Sequence, residues 1–173
     1  QEPLLNPAGT KVAYGYNNNI FIKNLSTGVT TQITKDGLKN SIINGITDWV
    51  YEEEFAFVRA YDWSADSKKL AYIRFDESQV PEFSMTIFQK ELYPKMETFK
   101  YPKAGEKNSE VSLFVYDVNS GNSKEVNLGN YNDFYIARMK WTNDANVLCA
   151  QVLNRHQDNL DLLFVDGNTA TAK

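Results

Sequence analysis

The 173-residue chain carries 18 Lys and Arg against 22 Asp and Glu, a formal net charge of −4, with 42% hydrophobic and 23% charged residues. These are the proportions of a globular protein long enough to bury a core of its own. The acidic balance and the lack of any basic stripe argue against a nucleic-acid partner, and no apolar run approaches the roughly 18 residues of a membrane-spanning helix.

The opening stretch, QEPLLNPAGTK, has neither the charged n-region nor the apolar h-region of a signal peptide. LNPAGTKVAYGY (5–16) takes an apolar anchor, Leu5, through a polar turn into an alternating strand. NNIFIKNLSTG (18–28) is a short apolar strand closed by turn residues and Gly28, and VTTQIT supplies the return strand of a hairpin. Both patterns recur. WSADSKKLAYIRF (63–75) and WTNDANVLCAQVL (141–153) repeat the anchored strand, with Trp63 and Trp141 in the place of Leu5. VSLFVYDVNSG (111–121) and LDLLFVDGN (160–168) repeat the hairpin, with Gly121 matching Gly28. An aromatic content of 13% favours strands further. Repeated strand–turn–strand units with a leading Trp read as blades, so the expected fold is all-β, a partial β-propeller of about three to four antiparallel blades. Propellers close with roughly four to eight blades, so the whole chain, 1–173, reads as a fragment of an N-terminal propeller domain.

From Leu5 to Trp63, and from Trp63 to Trp141, the units are longer than the roughly 40–50 residues a plain blade needs. The surplus falls at 36–55 and at 76–110, and insertions on a rigid scaffold commonly carry function. The first holds DWVYEEEF (48–55), three consecutive carboxylates among aromatic and apolar neighbours. Thr47 or Asp48 is placed to cap a short helix that carries Glu52, Glu53 and Glu54. Two readings stay open for the triplet. The glutamates complement the helix dipole, or two of them form a receptor for a cation. An ammonium, with three donors and no acceptor, matches a pair of acids, and each contact at about 4 Å and an effective dielectric near 20 is worth roughly 4 kcal/mol before desolvation. Trp49, Tyr51, Phe55 and Phe57 flank the triplet and would lower the local dielectric. The second insertion mixes Val80, Phe83, Met85, Ile87, Phe88, Leu92 and Tyr93 with interspersed charge.

No cofactor is indicated and no metal site is assigned. The alternation of Asp117 and Asn119 in DVNSG has a sibling in NLSTG (24–28), so a turn accounts for both. Asn24-Leu25-Ser26 fits the glycosylation sequon, a weak pattern by itself. The sequence has no G-x-S-x-G elbow, P-loop or G-x-G-x-x-G. The single histidine, His156, reads as a polar loop residue, since a general base needs a nucleophile and an orienting partner. Cys149, the single cysteine, reads as a small buried hydrophobe.

NGITDWVYEEEF (44–55) closely resembles the glutamate motif of dipeptidyl peptidase IV, in the S9 prolyl oligopeptidase group of serine peptidases. The likeness continues through WSADSKKLAYIRFDESQVPEFSM (63–85) and YPKAGEKNSEVSLFV (101–115), and reaches back to AGTKVAYGYNNNIFIKN (8–24) and forward to VLNRHQDNLDLLFVD (152–166). The resemblance implies an eight-bladed propeller joined to a C-terminal α/β-hydrolase domain, releasing X-Pro or X-Ala dipeptides from peptide N-termini. It implies that Glu53 and Glu54 bind the free α-ammonium of the substrate, with no such role for Glu52. It places a substrate-contacting arginine before Gln1 and the catalytic Ser, Asp and His beyond Lys173, so the chain alone is expected to be inactive. It implies further a homodimer, with 76–110 as an arm that helps form it, and an extracytoplasmic location. Asp62 stands where the family pattern implies a second aromatic, and Arg59 is close enough in sequence to compensate a charge. The alternative is a non-catalytic propeller that binds peptides or proteins, as in family members that have lost the nucleophile.

Overall fold

A computed structural model of the chain describes residues 1–172. The alternating segments form strands, and the polar Gly-containing stretches between them form the turns. The first sheet contains β1 (Leu4–Leu5), β2 (Lys11–Tyr16), β3 (Asn19–Asn24) and β4 (Thr30–Gln32), antiparallel and in sequence order. The chain then forms β5 (Ile42–Asn44), the short helix α1 (Trp49–Glu54), β6 (Tyr61–Trp63) and β7 (Lys69–Asp76). A separate hairpin, β8 (Glu82–Ile87) and β9 (Lys95–Lys100), precedes β10 (Glu110–Asp117) and β11 (Asn122–Glu125). In the second sheet β11, β10 and β7 are neighbours, and β5 and β6 share the remaining edge of β7 end to end. The third sheet runs β12 (Phe134–Trp141), β13 (Val147–Asn154), β14 (Leu160–Asp166) and β15 (Thr171–Ala172), again in sequence order. The described residues therefore form three antiparallel blades of an open propeller, with the β8–β9 hairpin paired only to itself.

Two apolar seams join the blades. Ala13, Ile20 and Ile22 of the first blade meet Tyr61, Trp63, Leu70 and Tyr72 of the second. Alternate residues of the same strand, Ala71, Ile73 and Phe75, pack with Leu113 and Val115 against Ile136, Leu148 and Val165 of the third. β7 is thus buried on both faces, and each fully buried aliphatic or aromatic side chain contributes about 1.5–3 kcal/mol.

The repeated Trp has a specific task at these seams. Trp63 Nε1 donates to the Leu4 carbonyl at 3.1 Å, and Trp141 Nε1 donates to the Asp62 carbonyl at 3.0 Å. Each indole therefore reaches the residue just before the anchor of the preceding blade. Leu5, the anchor of the first blade, has no ring N–H and is exposed, while its neighbour Leu4 packs into the seam. Replacing Trp63 with Phe keeps an aromatic ring but removes the donor, and should cost about 1 kcal/mol or more. A urea midpoint equal to that of the unmodified protein would show that the bond across the seam carries no weight.

The three hairpin copies also share one turn chemistry. Asn24 Oδ1 accepts from the N–H groups of Ser26 and Thr27, Asp117 Oδ1 from Asn119 and Ser120, and Asp166 Oδ1 from Asn168 and Thr169. Asx-turns of this kind supply the reversal locally, which accounts for the alternation seen in DVNSG. Among the described residues no group of three His, Cys, Asp or Glu is placed to hold a metal ion. His156 is exposed in the β13–β14 turn. Cys149 corrects the sequence reading, being half-buried on β13 rather than enclosed, with its thiol pushed up by desolvation.

Candidate functional site

Helix α1 stands at the tip of a closed stem. The chain leaves the second blade at Gly45, whose N–H donates to the Ile73 carbonyl, and returns at Ala60, whose N–H donates to the Gly45 carbonyl, each at 2.9 Å. Ile46 pairs with Arg59, Thr47 N–H reaches the Val58 carbonyl at 3.0 Å, and Thr47 Oγ1 donates to the Phe57 carbonyl at 3.0 Å. Gly45 lies at φ +71°, and a Cβ there would meet Ile20 at 2.6 Å and Tyr61 at 2.9 Å. The glycine of NGITDW is therefore required by backbone conformation and by space.

Asp48 is the cap. Its backbone is extended, and its Oδ1 accepts from Tyr51 N–H at 3.0 Å, satisfying one of the orphan donors of the first turn. At the other end Phe55 N–H donates to the Tyr51 carbonyl, and Ala56 at φ +54° turns the chain out of the helix. The helix is anchored through its buried face. Tyr51, 2% exposed, accepts at its hydroxyl from Ile136 N–H at 2.8 Å, beside the register shift in β12. Its ring packs on Phe55, Phe57, Phe75 and Tyr135, and burial raises its hydroxyl well above the usual phenol value.

Glu52, Glu53 and Glu54 are all exposed. The two turns of this six-residue helix overlap, so Glu52 lies in both, whereas Glu53 and Glu54 lie in the last alone, where no basic residue is present. The dipole reading therefore covers Glu52 at most: at a helix C-terminus the partial charge is negative and a carboxylate is disfavoured. None of the ion pairs among the described residues involves Glu53 or Glu54. Arg59 pairs with Glu2 instead, Nη1 to Oε2 at 4.0 Å. Asp62 binds the next blade, taking the Trp141 N–H and the Lys140 ammonium at 3.2 Å each. Arg138 lies over the Phe57 ring at 5.1 Å, on the part of the stem next to α1.

Sequence reasoning named Asp48 as a cap candidate but missed two further buried groups, Ser109 and Glu77. Ser109 Oγ donates to Asp48 Oδ2 at 2.6 Å, and burial raises the Asp48 carboxyl above the usual range despite that bond. Burial, with the charge of Asp48 adding to it and Lys100 opposing, pushes the Glu77 carboxyl up to about 7. The signal available was weak, a Glu and a Ser bracketing the second insertion. Because folded Glu77 keeps its proton from about pH 4.5 to about pH 7 while the unfolded chain releases it, stability falls across that window as pH rises. Glu77→Gln removes this loss, so its melting temperature should exceed that of the unmodified protein at pH 8 and show no such gain at pH 5. Identical differences at both pH values would contradict the assignment.

A cavity of about 510 Å³ opens beside the same region, lined by residues that include Asn108, Ser109, Glu110, Tyr131 and Phe134, and it takes in none of the three glutamates.

Fold and site together define a propeller segment that presents two adjacent carboxylates on a short helix anchored through Tyr51 and Asp48. Residues 1–173 match the family described as Dipeptidyl peptidase IV (DPP IV) N-terminal region, and the chain belongs to that family. It is similar to dipeptidyl peptidase 4 of Porphyromonas gingivalis, whose crystal structure superposes with a TM-score of 0.96 at 45% identity over 99% of this chain and 24% of that one. Human "Prolyl endopeptidase FAP" is 38% identical over 92% of this chain and 22% of its own length. "Probable dipeptidyl-aminopeptidase B" of Talaromyces stipitatus is 37% identical over 92% of this chain and 19% of its own length. The chain thus spans about a fifth to a quarter of these relatives, all named as peptidases.

Proposed function

We propose that this segment is the N-terminus receptor of a serine-type dipeptidyl peptidase that releases X-Pro or X-Ala dipeptides, with Glu53 and Glu54 binding the α-ammonium of the peptide. The observation that carries the reading is the placement of these two carboxylates, exposed and without an ion-pair partner among the described residues, at the helix end where the dipole opposes them. Helix stability gives no reason for acids there, and an arriving ammonium supplies the missing counter-charge. By holding the chain end, the pair measures two residues back from the bond to be cut. The α/β-hydrolase domain of the same parent chain supplies the nucleophile, and this segment contains no G-x-S-x-G elbow of its own. The parent acts outside the cytoplasm on peptides with free N-termini.

The β8–β9 hairpin suits the proposed role of dimer arm. It stands apart from the blades and exposes Phe83, Met85, Phe88, Leu92, Tyr93 and Met96, while Val80 is buried at its root. A second copy of the parent enzyme is the occupant this reading assigns to it.

Turnover of a chromogenic Gly-Pro substrate tests the proposal. The intact parent should cleave it and should cleave the N-acetylated form poorly, while the purified segment should cleave neither. Turnover proportional to the amount of segment, or equal rates on both substrates by the parent, would overturn the assignment.

A further inference from the structure

We infer that the β8–β9 arm positions the ammonium receptor, with Asp48 and Ser109 as positioning residues that act through helix α1. This rests on the receptor reading and adds what holds the receptor in place. The arm leaves the second blade at Glu77, the residue after β7, and returns at Ser109, the residue before β10. Both roots are buried, as is Asp48. One carboxylate joins helix and arm: Asp48 Oδ1 accepts from Tyr51 N–H inside the first turn, and Asp48 Oδ2 accepts from Ser109 Oγ at 2.6 Å. Next along the chain, Trp49 packs on Tyr101 with ring centroids 4.2 Å apart. Tyr101 meets Phe83 at 5.5 Å, and Phe83 meets Phe99 at 5.9 Å, so ring contacts run from the helix into the hairpin. The neck of the arm is closed by Tyr101 N–H on the Pro81 carbonyl and Lys100 Nζ on the Val80 carbonyl, each at 2.9 Å.

The stem alone leaves the orientation of the helix underdetermined, because its backbone pairing ends at Thr47 and Val58, short of α1. The remaining fixings are the Tyr51 side chain, with its hydroxyl on β12 and its ring against Phe57, Phe75 and Tyr135, and the contacts with the arm at Ser109 and Tyr101. Loss of the Ser109 contact frees the first turn, and a small rotation there displaces Glu53 and Glu54 one turn later.

The experiment uses the intact parent enzyme and a free-amine Gly-Pro substrate, with product inhibition by free and N-acetylated dipeptide as a second readout. Ser109→Ala should raise KM roughly tenfold with a smaller change in kcat, and should weaken the free dipeptide but not the acetylated one. Asp48→Ala should raise KM in the same way, whereas Asp48→Asn, which keeps an acceptor for Tyr51 N–H and a polar partner for Ser109, should rescue most of that loss. An unchanged KM in Ser109→Ala, or equal weakening of both dipeptides, would overturn the positioning role. Glu53→Ala and Glu54→Ala serve as the reference: if they leave KM unchanged, the receptor reading itself fails, whereas a rise in KM confined to them overturns only the positioning role.

Discussion

Glu53→Ala and Glu54→Ala in the intact parent enzyme should each lower kcat/KM on a free-amine Gly-Pro substrate by about 100-fold or more, because a misplaced chain end also misplaces the scissile bond. Glu52→Ala should cost far less, since Glu52 lies in the first turn, where an acid complements the dipole. Gln at 53 or 54 removes charge but keeps an acceptor, so its loss should be intermediate. Stability should move the other way. Removing an acid from the last turn of α1 relieves repulsion with the helix carbonyls, so the melting temperature of Glu54→Gln should hold or rise while binding falls. The N-acetylated peptide is the control, having no ammonium to hold, and the variants should scarcely change its already low rate. Binding of the free peptide should also weaken above a pH of about 8, as the α-amine loses its proton. Equal losses at all three glutamates would show that the pair is not the receptor.

The second large effect concerns Gly45. Alanine there must adopt a left-handed φ, at roughly 1–2 kcal/mol, and drive a methyl into Ile20 and Tyr61, at roughly 1–3 kcal/mol more. Both neighbours belong to the seam between the first and second blades, so the strain cannot be relieved at the surface. Gly45→Ala should therefore lower the urea midpoint substantially. Where the variant still folds, it should also raise KM, because Gly45 is the base of the stem that carries α1. A midpoint within error of the unmodified protein would mean that the stem base is pliable.

The chain's own pattern determined what depends on neighbours in sequence. Alternation in KVAYGY and VLCAQVL set strands, Asn24, Asp117 and Asp166 set the turns, and Asp48 beside Trp49 set the start of α1, because pleat, Asx-turn and cap are each completed within a few residues. The Glu53–Glu54 pair could be singled out from its motif, but the sequence left open whether the helix merely used its acids. Placement in the last turn, visible only once the helix boundaries are known, argues against a dipole role for that pair and supports the receptor proposed for it. The supports of the helix were not legible at all. Ser109 meets Asp48 across 61 residues, Ile136 meets the Tyr51 hydroxyl across 85, and Trp141 meets Asp62 across 79. The first of these pairs meets across two insertions of the second blade and the other two across stacked blades, and a lone Ser, Tyr or Asp carries no periodic signal of its partner. The sequence determined the blades and the motif, and the tertiary packing of blades and insertions decided which buried groups lie against helix α1.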